Sequence, residues 1–448
     1  MLEEARGYLR AGVKTILLQA PTGAGKTVLA GHMLKTASSK GHQAWFCCHR
    51  RELVTQSSRT FARFGIEHGI VSAGFPENRF ARVQVCGIQT VARRLDRLPR
   101  PTFVVWDEAH HIAAGQWDAI FKAYPEAIHI GLSATPERLD GTGLRNWFSH
   151  MVRGPRVADL IADGFLSDYK MFAPTGIDLS GVHTVAGDFN KKELENALEK
   201  STITGDAIHH YLRLAKGRRA VAFHVGIKRS MDMVERFNAF GVAAEHVDGD
   251  TDPAVRDAAL QRFIRGKTLI LSNVDLFGEG VDVPAIECVI DCAPSMSITR
   301  VMQRWGRALR PVDGKSHAIL LDHAGNVKRH GLPDDEREWT LDGRRKSPRK
   351  RKDQDDISIK SCPMCFTVTQ SVASQCKTCG HVFTPKPREI EEVSGELSEI
   401  DRAIQRREAK KTQGRAQTLE DLIELGRLRG YKRPELWARH VFRSRKAA

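Results

Sequence analysis

The chain has 448 residues, 41% of them apolar and set in regular runs, enough to bury two or three separate cores. No secretory leader opens it and no apolar stretch is long enough to cross a bilayer, so the expectation is a cytoplasmic protein with reduced thiols and no membrane partner. A net charge of +15 excludes an acid-rich surface and suits either a polyanionic partner or a solvated basic face.

Val13–Leu18 reads as a strand and Thr27–Ala37 as a helix. Between them stands Ala20-Pro-Thr-Gly-Ala-Gly-Lys-Thr27, which fits the relaxed G-x-x-x-x-G-K-[ST] loop. A tight turn at Gly23 and Gly25 aims several backbone N–H groups at one spot, where the helix start adds partial positive charge. The β- and γ-phosphates of a nucleotide suit that spot, with Lys26 as counter-charge and the Thr27 hydroxyl on Mg2+. Gln43–His49, Arg82–Gln89, Thr102–Trp106 and Ile128–Leu132 read as buried strands, with a helix at Arg51–Phe64. This alternation predicts an α/β fold whose mostly parallel sheet carries helices on both faces. One of the strands ends in Trp106-Asp107-Glu108-Ala109-His110. A carboxylate just past a buried strand is placed to hold Mg2+ over the phosphates, and a second one beside it can polarise the attacking water. Asp107 is therefore assigned to the metal and Glu108 to the general base.

The pattern restarts after a less regular stretch at Lys170–Gly205. Arg219–Val225, Ala243–Val247, Thr268–Ser272, Cys288–Ala293 and Ala318–Asp322 read as strands, with helices at Ile227–Phe240, Pro253–Ile264 and Ile298–Leu309. The G-x-x-x-x-G-K-[ST] pattern does not recur there, since Gly266-Lys267-Thr268 has Gln261 where the first small residue would stand, so one nucleotide site is expected. Arg344–Lys352 holds seven basic residues in nine and includes a proline, so it reads as an exposed linker, either a solvated hinge or a strap that tracks phosphates. Cys362-Pro-Met-Cys365 and Cys376-Lys-Thr-Cys379 then form C-x2-C…C-x2-C. Two such turns complete a tetrahedral S4 site that favours Zn2+, structural because four protein ligands fill it, against the rival reading of a redox dithiol. His381 belongs to the turn, and Cys47, Cys48, Cys86, Cys288 and Cys292 to the cores. Thr418 can cap a helix through Leu419, Leu422, Ile423 and Leu425, and Pro434 can open another with Trp437 and Val441 on its apolar face. From Leu341 to the end there are 25 Lys and Arg against 15 Asp and Glu, a balance of +10, while the preceding residues carry +5. The tail is either a nucleic-acid footprint or a hairpin docked with its charges in water.

In order along the chain, these segments resemble the motif series of superfamily-2 helicases and translocases of the DEAD/DEAH-box class. Ala20–Thr27 matches motif I, Cys48-His-Arg-Arg-Glu-Leu53 resembles motif Ia, and Gly87-Ile-Gln-Thr-Val91 resembles motif Ib. Asp107–His110 matches motif II, and Ser133-Ala-Thr135 matches motif III. Ala222-Phe-His-Val225, Phe277-Gly-Glu-Gly-Val-Asp-Val-Pro284 and Gln303-Arg-Trp-Gly-Arg-Ala-Leu-Arg310 resemble motifs IV, V and VI. The resemblance implies two tandem RecA-like lobes with parallel sheets and ATP between them. By position it implies Arg307 and Arg310 on the γ-phosphate with Gln303 beside them, and Gly280 and Asp282 on the nucleotide, Asp282 at the ribose. It further implies that His110, Ser133 and Thr135 couple the lobes and that Arg51 and Thr90 touch nucleic-acid backbone. A solvated arginine face would not explain Gly306 within the motif VI helix. The 19 residues before Ala20 lack the Arg/Pro/aromatic/Gln element that reads adenine in the family, so weak discrimination among ATP, GTP and CTP is expected.

The whole arrangement is one of an ATP-binding lobe at 1–167, a helicase C-terminal lobe at 168–340, a basic linker at 341–356, a zinc-ribbon-like module at 357–385 and a basic helical tail at 386–448. It also resembles, more loosely, the RadD-like group of bacterial DNA-repair helicases, which has comparable chains in phages. The expectation is an ATP- and Mg2+-dependent motor, carrying a structural Zn2+, that unwinds or translocates on DNA, with repair or replication proteins as partners. The alternatives are an RNA helicase of the same superfamily and, from another class, a non-catalytic nucleic-acid-binding scaffold.

Overall fold

Strands that are apolar on both faces must lie inside a sheet covered on each side. In the first lobe the central ones are β1 (Thr15–Gln19), β2 (Ala44–Cys48), β4 (Val83–Gly87), β5 (Phe103–Trp106) and β6 (Ile128–Ser133), with the shorter β3 (Gly69–Val71) and β7 (His150–Arg153) at the edges. They form one sheet in the order β3-β4-β2-β5-β6-β1-β7, parallel at every pairing. Gln19 pairs with Ser133 and Trp106 with Gly131, so the loops after β1, β5 and β6 leave the same edge of the sheet. Helices Lys26–Ser39 and Arg51–Arg63 cover one face with Leu34, Val54 and Phe61, and helix Gly115–Ala123 covers the other with Trp117 and Ile120. Each such side chain contributes roughly 1.5–3 kcal/mol when fully buried.

The second lobe begins at β8 (Tyr169–Phe172), followed by a small antiparallel hairpin of β9 (Thr184–Val185) and β10 (Asp188–Phe189). Its sheet is completed by β11 (Ala220–His224), β12 (Ala244–Val247), β13 (Ile270–Val274), β14 (Cys288–Asp291) and β15 (Ala318–Asp322). The order is β12-β13-β11-β14-β15-β8, again parallel throughout. The stretch expected to be irregular thus contains the edge strand β8, the hairpin and helix Lys191–Glu199. β8 and β7 are four-residue edge strands with two or three half-buried or exposed positions, so neither shows the continuous apolar run that marks the central strands.

The structure is a computed structural model, and it describes residues 1–138, 140–173, 182–185, 187–199, 203–274, 276, 286–343, 359–362, 364–365, 367–370, 373–383, 418–428, 434–435, 438 and 442. Gly280, Asp282, the basic segment Arg344–Lys352, Trp437 and Val441 lie outside these. Residues 1–383 form one unit and 384–448 another. In the second unit, helix Leu419–Leu428 starts at a reciprocal cap: Asp421 N–H donates to Thr418 Oγ1 at 3.1 Å and Thr418 N–H to Asp421 Oδ2 at 3.0 Å.

Two segments past the second sheet are built into the first unit. Leu341 is 3% exposed and packs in the first lobe's core with Phe148 and Leu144. The Arg145 guanidinium grips Asp342 at 2.9 and 3.1 Å, and Gly343 bridges to Thr142. The cysteine-bearing hairpin of β16 (Ile359–Ser361) and β17 (Val368–Gln370) meets the second lobe's edge strand through a bridge from Thr367 to Phe172, and Val368 is buried in that lobe's core. Sequence alone drew Leu341 as linker and the cysteine segment as a separate module, because neither carries an apolar run of its own.

Candidate active site between the lobes

Gly23 and Gly25 hold positive φ, +88° and +77°, and a side chain at Gly23 would strike Leu166 Cδ2 at 2.8 Å. Gly25 is the N-cap of helix Lys26–Ser39. Lys26 Nζ turns into the loop and donates to the carbonyls of Ala20 and Pro21 at 3.1 and 3.2 Å. Burial holds its ammonium below the usual lysine range, with Glu108 and Asp107 pulling the other way. At the end of β5, burial and then the charge of Glu108 push the Asp107 carboxyl up to about 7. A carboxyl so placed gains strongly from a nearby cation. Glu108 follows at φ 49° and ψ 54°, and it is the only non-glycine with positive φ among the described residues. Such a conformation costs on the order of 1–3 kcal/mol, and here it turns the chain so that two consecutive carboxylates line one cavity.

The opposite wall is helix Ile298–Ala308 of the second lobe, nine of whose eleven residues are buried. Arg304 and Arg307 are therefore not part of a solvated face. Arg304 donates to the Ala293 carbonyl at 2.6 Å and lies 3.4 Å from Asp291, a carboxylate that also accepts from Trp305 Nε1 and Asn326 Nδ2 at 3.0 and 2.9 Å. That network fixes the helix on its own sheet. Gln303, Arg307 and Arg310 instead line a cavity of about 270 Å³ together with Gly23, Gly25, Lys26, Thr27, Asp107 and Glu108. Both amide atoms of Gln303 are buried without a hydrogen-bond partner among the described residues. A buried amide left so costs about 1–3 kcal/mol per group unless a polar ligand meets it. Burial lowers the Arg310 guanidinium from its ordinary value, opposed by the charge of Glu108. Leu53, the last residue of the motif Ia segment, and Gln56 also line this cavity from helix Arg51–Arg63, and sequence reading gave neither a place at the nucleotide.

Gly306 has a steric reason. A Cβ there would lie 2.7 Å from the Thr22 Cβ, so the helix seats against the glycine loop only because this residue has no side chain. Alanine is worth about 1 kcal/mol over glycine within a helix. Gly306→Ala should therefore leave the second lobe as stable as before or slightly more so, yet lower ATP turnover at least tenfold by holding the lobes apart. Thermal melting and steady-state hydrolysis, measured together, check both signs.

A chain of side chains runs from the cavity across the interface. Glu108 Oε2 lies 3.5 Å from His110 Nδ1, and that nitrogen lies 3.3 Å from Ser133 Oγ. Ser133 Oγ donates to the Thr135 carbonyl at 2.5 Å, and Thr135 Oγ1 meets Thr299 Oγ1 of the second lobe at 2.8 Å. Thr299 was not singled out from sequence. Its spacing of four residues before Gln303 puts it on the same helix face, which is the signal that could have found it. Arg51 and Thr90 flank one loop: the Arg51 guanidinium sits 5.4 Å from the Phe75 ring centre, and Thr90 Oγ1 accepts from Ala73 N–H at 3.1 Å.

Far from the cleft in sequence, the sulfurs of Cys362, Cys365, Cys376 and Cys379 all lie within 4.8 Å of one another, with Cys362–Cys379 and Cys365–Cys376 each at 3.6 Å. Tetrahedral zinc with ligand bonds of about 2.3 Å puts sulfurs about 3.8 Å apart, so the spacing and the donor type fit that ion. Cys47, Cys48, Cys86, Cys288 and Cys292 are buried in the two lobes.

Comparison with known proteins agrees with this architecture. Residues 1–138 match the family described as the res subunit of type III restriction enzymes, and residues 204–312 match the helicase conserved C-terminal domain. A 51.5 kDa protein of a Lactococcus phage is 31% identical over 368 residues, covering 82% of this chain and 78% of that protein. IRC3 of Saccharomyces cerevisiae, assigned as an ATP-dependent helicase, is 29% identical over 343 residues, covering 71% of this chain and 49% of IRC3, so the chain spans about half of that relative. A fragment assigned as the HsdR subunit of a type I restriction enzyme from Vibrio vulnificus shares the fold with a TM-score of 0.58 at 21% identity, covering 74% of this chain and 64% of that one. Two parallel-sheet lobes, the helicase C-terminal domain and the phage relative leave one conclusion: the chain belongs to the superfamily-2 helicases, ATP-dependent motors that act on nucleic acid.

Proposed function

We propose that the chain hydrolyses ATP in the cleft between its lobes and uses the cycle to unwind or translocate on DNA. The observation that carries this reading is the convergence of the glycine loop, the paired carboxylates and three polar residues of the second lobe on one cavity of about 270 Å³. Gly23, Gly25 and Lys26 cradle the phosphates, Glu108 takes the proton of the attacking water, and Gln303, Arg307 and Arg310 meet the γ-phosphate. The hydroxyl of Thr27 and the carboxylate of Asp107 offer the hard oxygen donors that suit Mg2+, which when bound neutralises charge on the phosphates. The four cysteines hold a structural zinc. DNA is favoured over RNA by the match of residues 1–138 to the res subunit of type III restriction enzymes, and the net charge of +15 suits either polyanion. The reading places the protein in the cytoplasm with repair or replication proteins as partners; among the described residues no helix is long and apolar enough to cross a membrane.

ATPase assays with single-stranded, duplex and forked DNA, and with RNA of matched length, test the substrate directly. Stimulation by RNA alone would overturn the DNA reading. Lys26→Ala and Glu108→Gln should each abolish turnover, with Glu108→Gln still binding ATP because Asp107 and the phosphate loop remain. A Glu108→Gln protein that hydrolyses normally would remove that residue as the base.

A further inference from the structure

Arg310 lines the nucleotide cavity from a position that its helix does not hold. Helix Ile298–Ala308 has its C-cap at Leu309, so Arg310 is the first residue beyond it. The last carbonyls of a helix have no partner within it. A side chain rooted there keeps its aim only if something outside the helix fixes its backbone.

Two residues meet the three consecutive carbonyls at this end. Ala308 O accepts from Lys315 Nζ at 2.7 Å, and Leu309 O accepts from Ser167 N–H at 2.7 Å. The Arg310 carbonyl accepts from both, from Ser167 Oγ at 3.2 Å and from Lys315 Nζ. Lys315 Nζ also reaches Ile286 O at 3.4 Å, so the three donors of one ammonium face three carbonyls. Burial pushes that ammonium down to about 8, with Glu287 opposing the shift and Arg218 adding to it. The negative end of the helix dipole offsets the cost of holding a charge there. The turn before Lys315 is shaped for this reach. Gly314 holds φ +79°, and Lys315 N–H donates to the Val312 carbonyl at 3.0 Å, which sends the chain back toward the helix it has just left.

The other clamp ties the helix end to the glycine loop. Leu166, one residue before Ser167, is buried in the second lobe's core, and a Gly23 Cβ would lie 2.8 Å from its Cδ2. Ser167 and Lys315 therefore hold the root of Arg310 beside the loop that cradles the phosphates.

We propose that Lys315 is a positioning residue for ATP hydrolysis that acts through Arg310: its ammonium caps helix Ile298–Ala308 and fixes the direction in which the guanidinium enters the cavity. The proposal rests on the reading that puts Arg310 at the γ-phosphate and adds to it the group that aims the arginine. Among the described residues that line the cavity Lys315 has no place, so its effect on the reaction passes through the backbone it holds.

The test is a double-variant cycle in the full chain, read by single-turnover ATP hydrolysis and by a separate ATP-binding measurement. Lys315→Met keeps an apolar stem of similar length and removes the donors. It should lower the hydrolysis rate about 10–100-fold, the cost of a group misplaced by about an ångström, while ATP affinity stays within about threefold. Lys315→Arg can still donate to the carbonyls and should recover most of the rate. In the Arg310→Ala background Lys315→Met should cost nothing further, because the group it aims is gone. Ser167→Ala removes one donor from the Arg310 carbonyl and should give a smaller loss, again only while Arg310 is present. A wild-type rate in Lys315→Met, or in Ser167→Ala where the first variant does not fold, overturns the proposal and leaves the motor reading intact. Losses that multiply in the double variant overturn it in the same way. An Arg310→Ala protein that hydrolyses at the wild-type rate overturns the placing of Arg310 as well, so the two failures are told apart by that arm.

Discussion

Arg310→Ala should lower ATP turnover by about 10³–10⁵-fold, the range found where an arginine stabilises the charge on a transferring phosphoryl group. Arg310 reaches the cavity from the far end of helix Ile298–Ala308, and its Cγ lies 3.7 Å from where a Gly23 Cβ would be. Its backbone is fixed independently of the guanidinium, since its carbonyl accepts from Ser167 Oγ at 3.2 Å and also from Lys315 Nζ. Truncating the side chain therefore should not displace the helix. ATP affinity is expected to change little, because the phosphate loop belongs to the other lobe and the arginine contact strengthens in the transition state. Arg310→Lys keeps a charge but loses the planar fork, so it should recover only a small part of the rate. Single-turnover hydrolysis with a separate nucleotide-binding measurement checks both halves. A turnover near wild type in Arg310→Ala would remove this residue from the phosphate and leave Arg307 as the candidate.

Much of this cleft can be read from sequence because its parts sit on short local patterns. The glycine loop is legible because helix Lys26–Ser39 follows β1 directly, and the carboxylate pair because β5 is apolar until the chain turns at Asp107. The central strands show as apolar runs since both faces are covered, whereas β3, β7 and β8 sit at sheet edges and are short. What sequence leaves hidden are residues defined by a partner from the other lobe. Gly306 looks like a helix defect until Thr22 is placed against it. Thr299 is an ordinary helix residue until Thr135 meets it at 2.8 Å. Arg304 and Arg307 share a motif, yet one binds Asp291 inside its own lobe and the other faces the cavity. Leu341 appears to begin a charged linker and is a core residue of the first lobe.

The same distinction decides what loss of zinc should do. From sequence, the motor should survive removal of the four-cysteine module, because no helicase motif lies beyond Leu341. The packing points the other way. Val368 is 6% exposed within the second lobe's core, Ile359 packs against the same core, and Thr367 bridges to Phe172 on the edge strand β8. Cys362 and Cys365 precede β17 and Cys376 and Cys379 follow it, so an ion held by all four fixes the strand that carries Val368. Small metal-bound modules fold with their ion, and a chelated one gives up its packing. Losing the burial of one valine-sized side chain costs roughly 1.5–3 kcal/mol, which in a lobe of this size lowers the melting temperature by about 3–12 °C. Cys362→Ser combined with Cys365→Ser, or chelation of the wild type, should produce that drop and reduce hydrolysis with it. Val368→Asp should lower the melting temperature while retaining the metal, which separates the docking from the ion. Metal analysis of the purified chain should find one zinc, and finding none would end the zinc assignment without touching the Val368 result. If the metal-free protein melts and hydrolyses as the loaded one does, the hairpin's place on β8 does not depend on an ion.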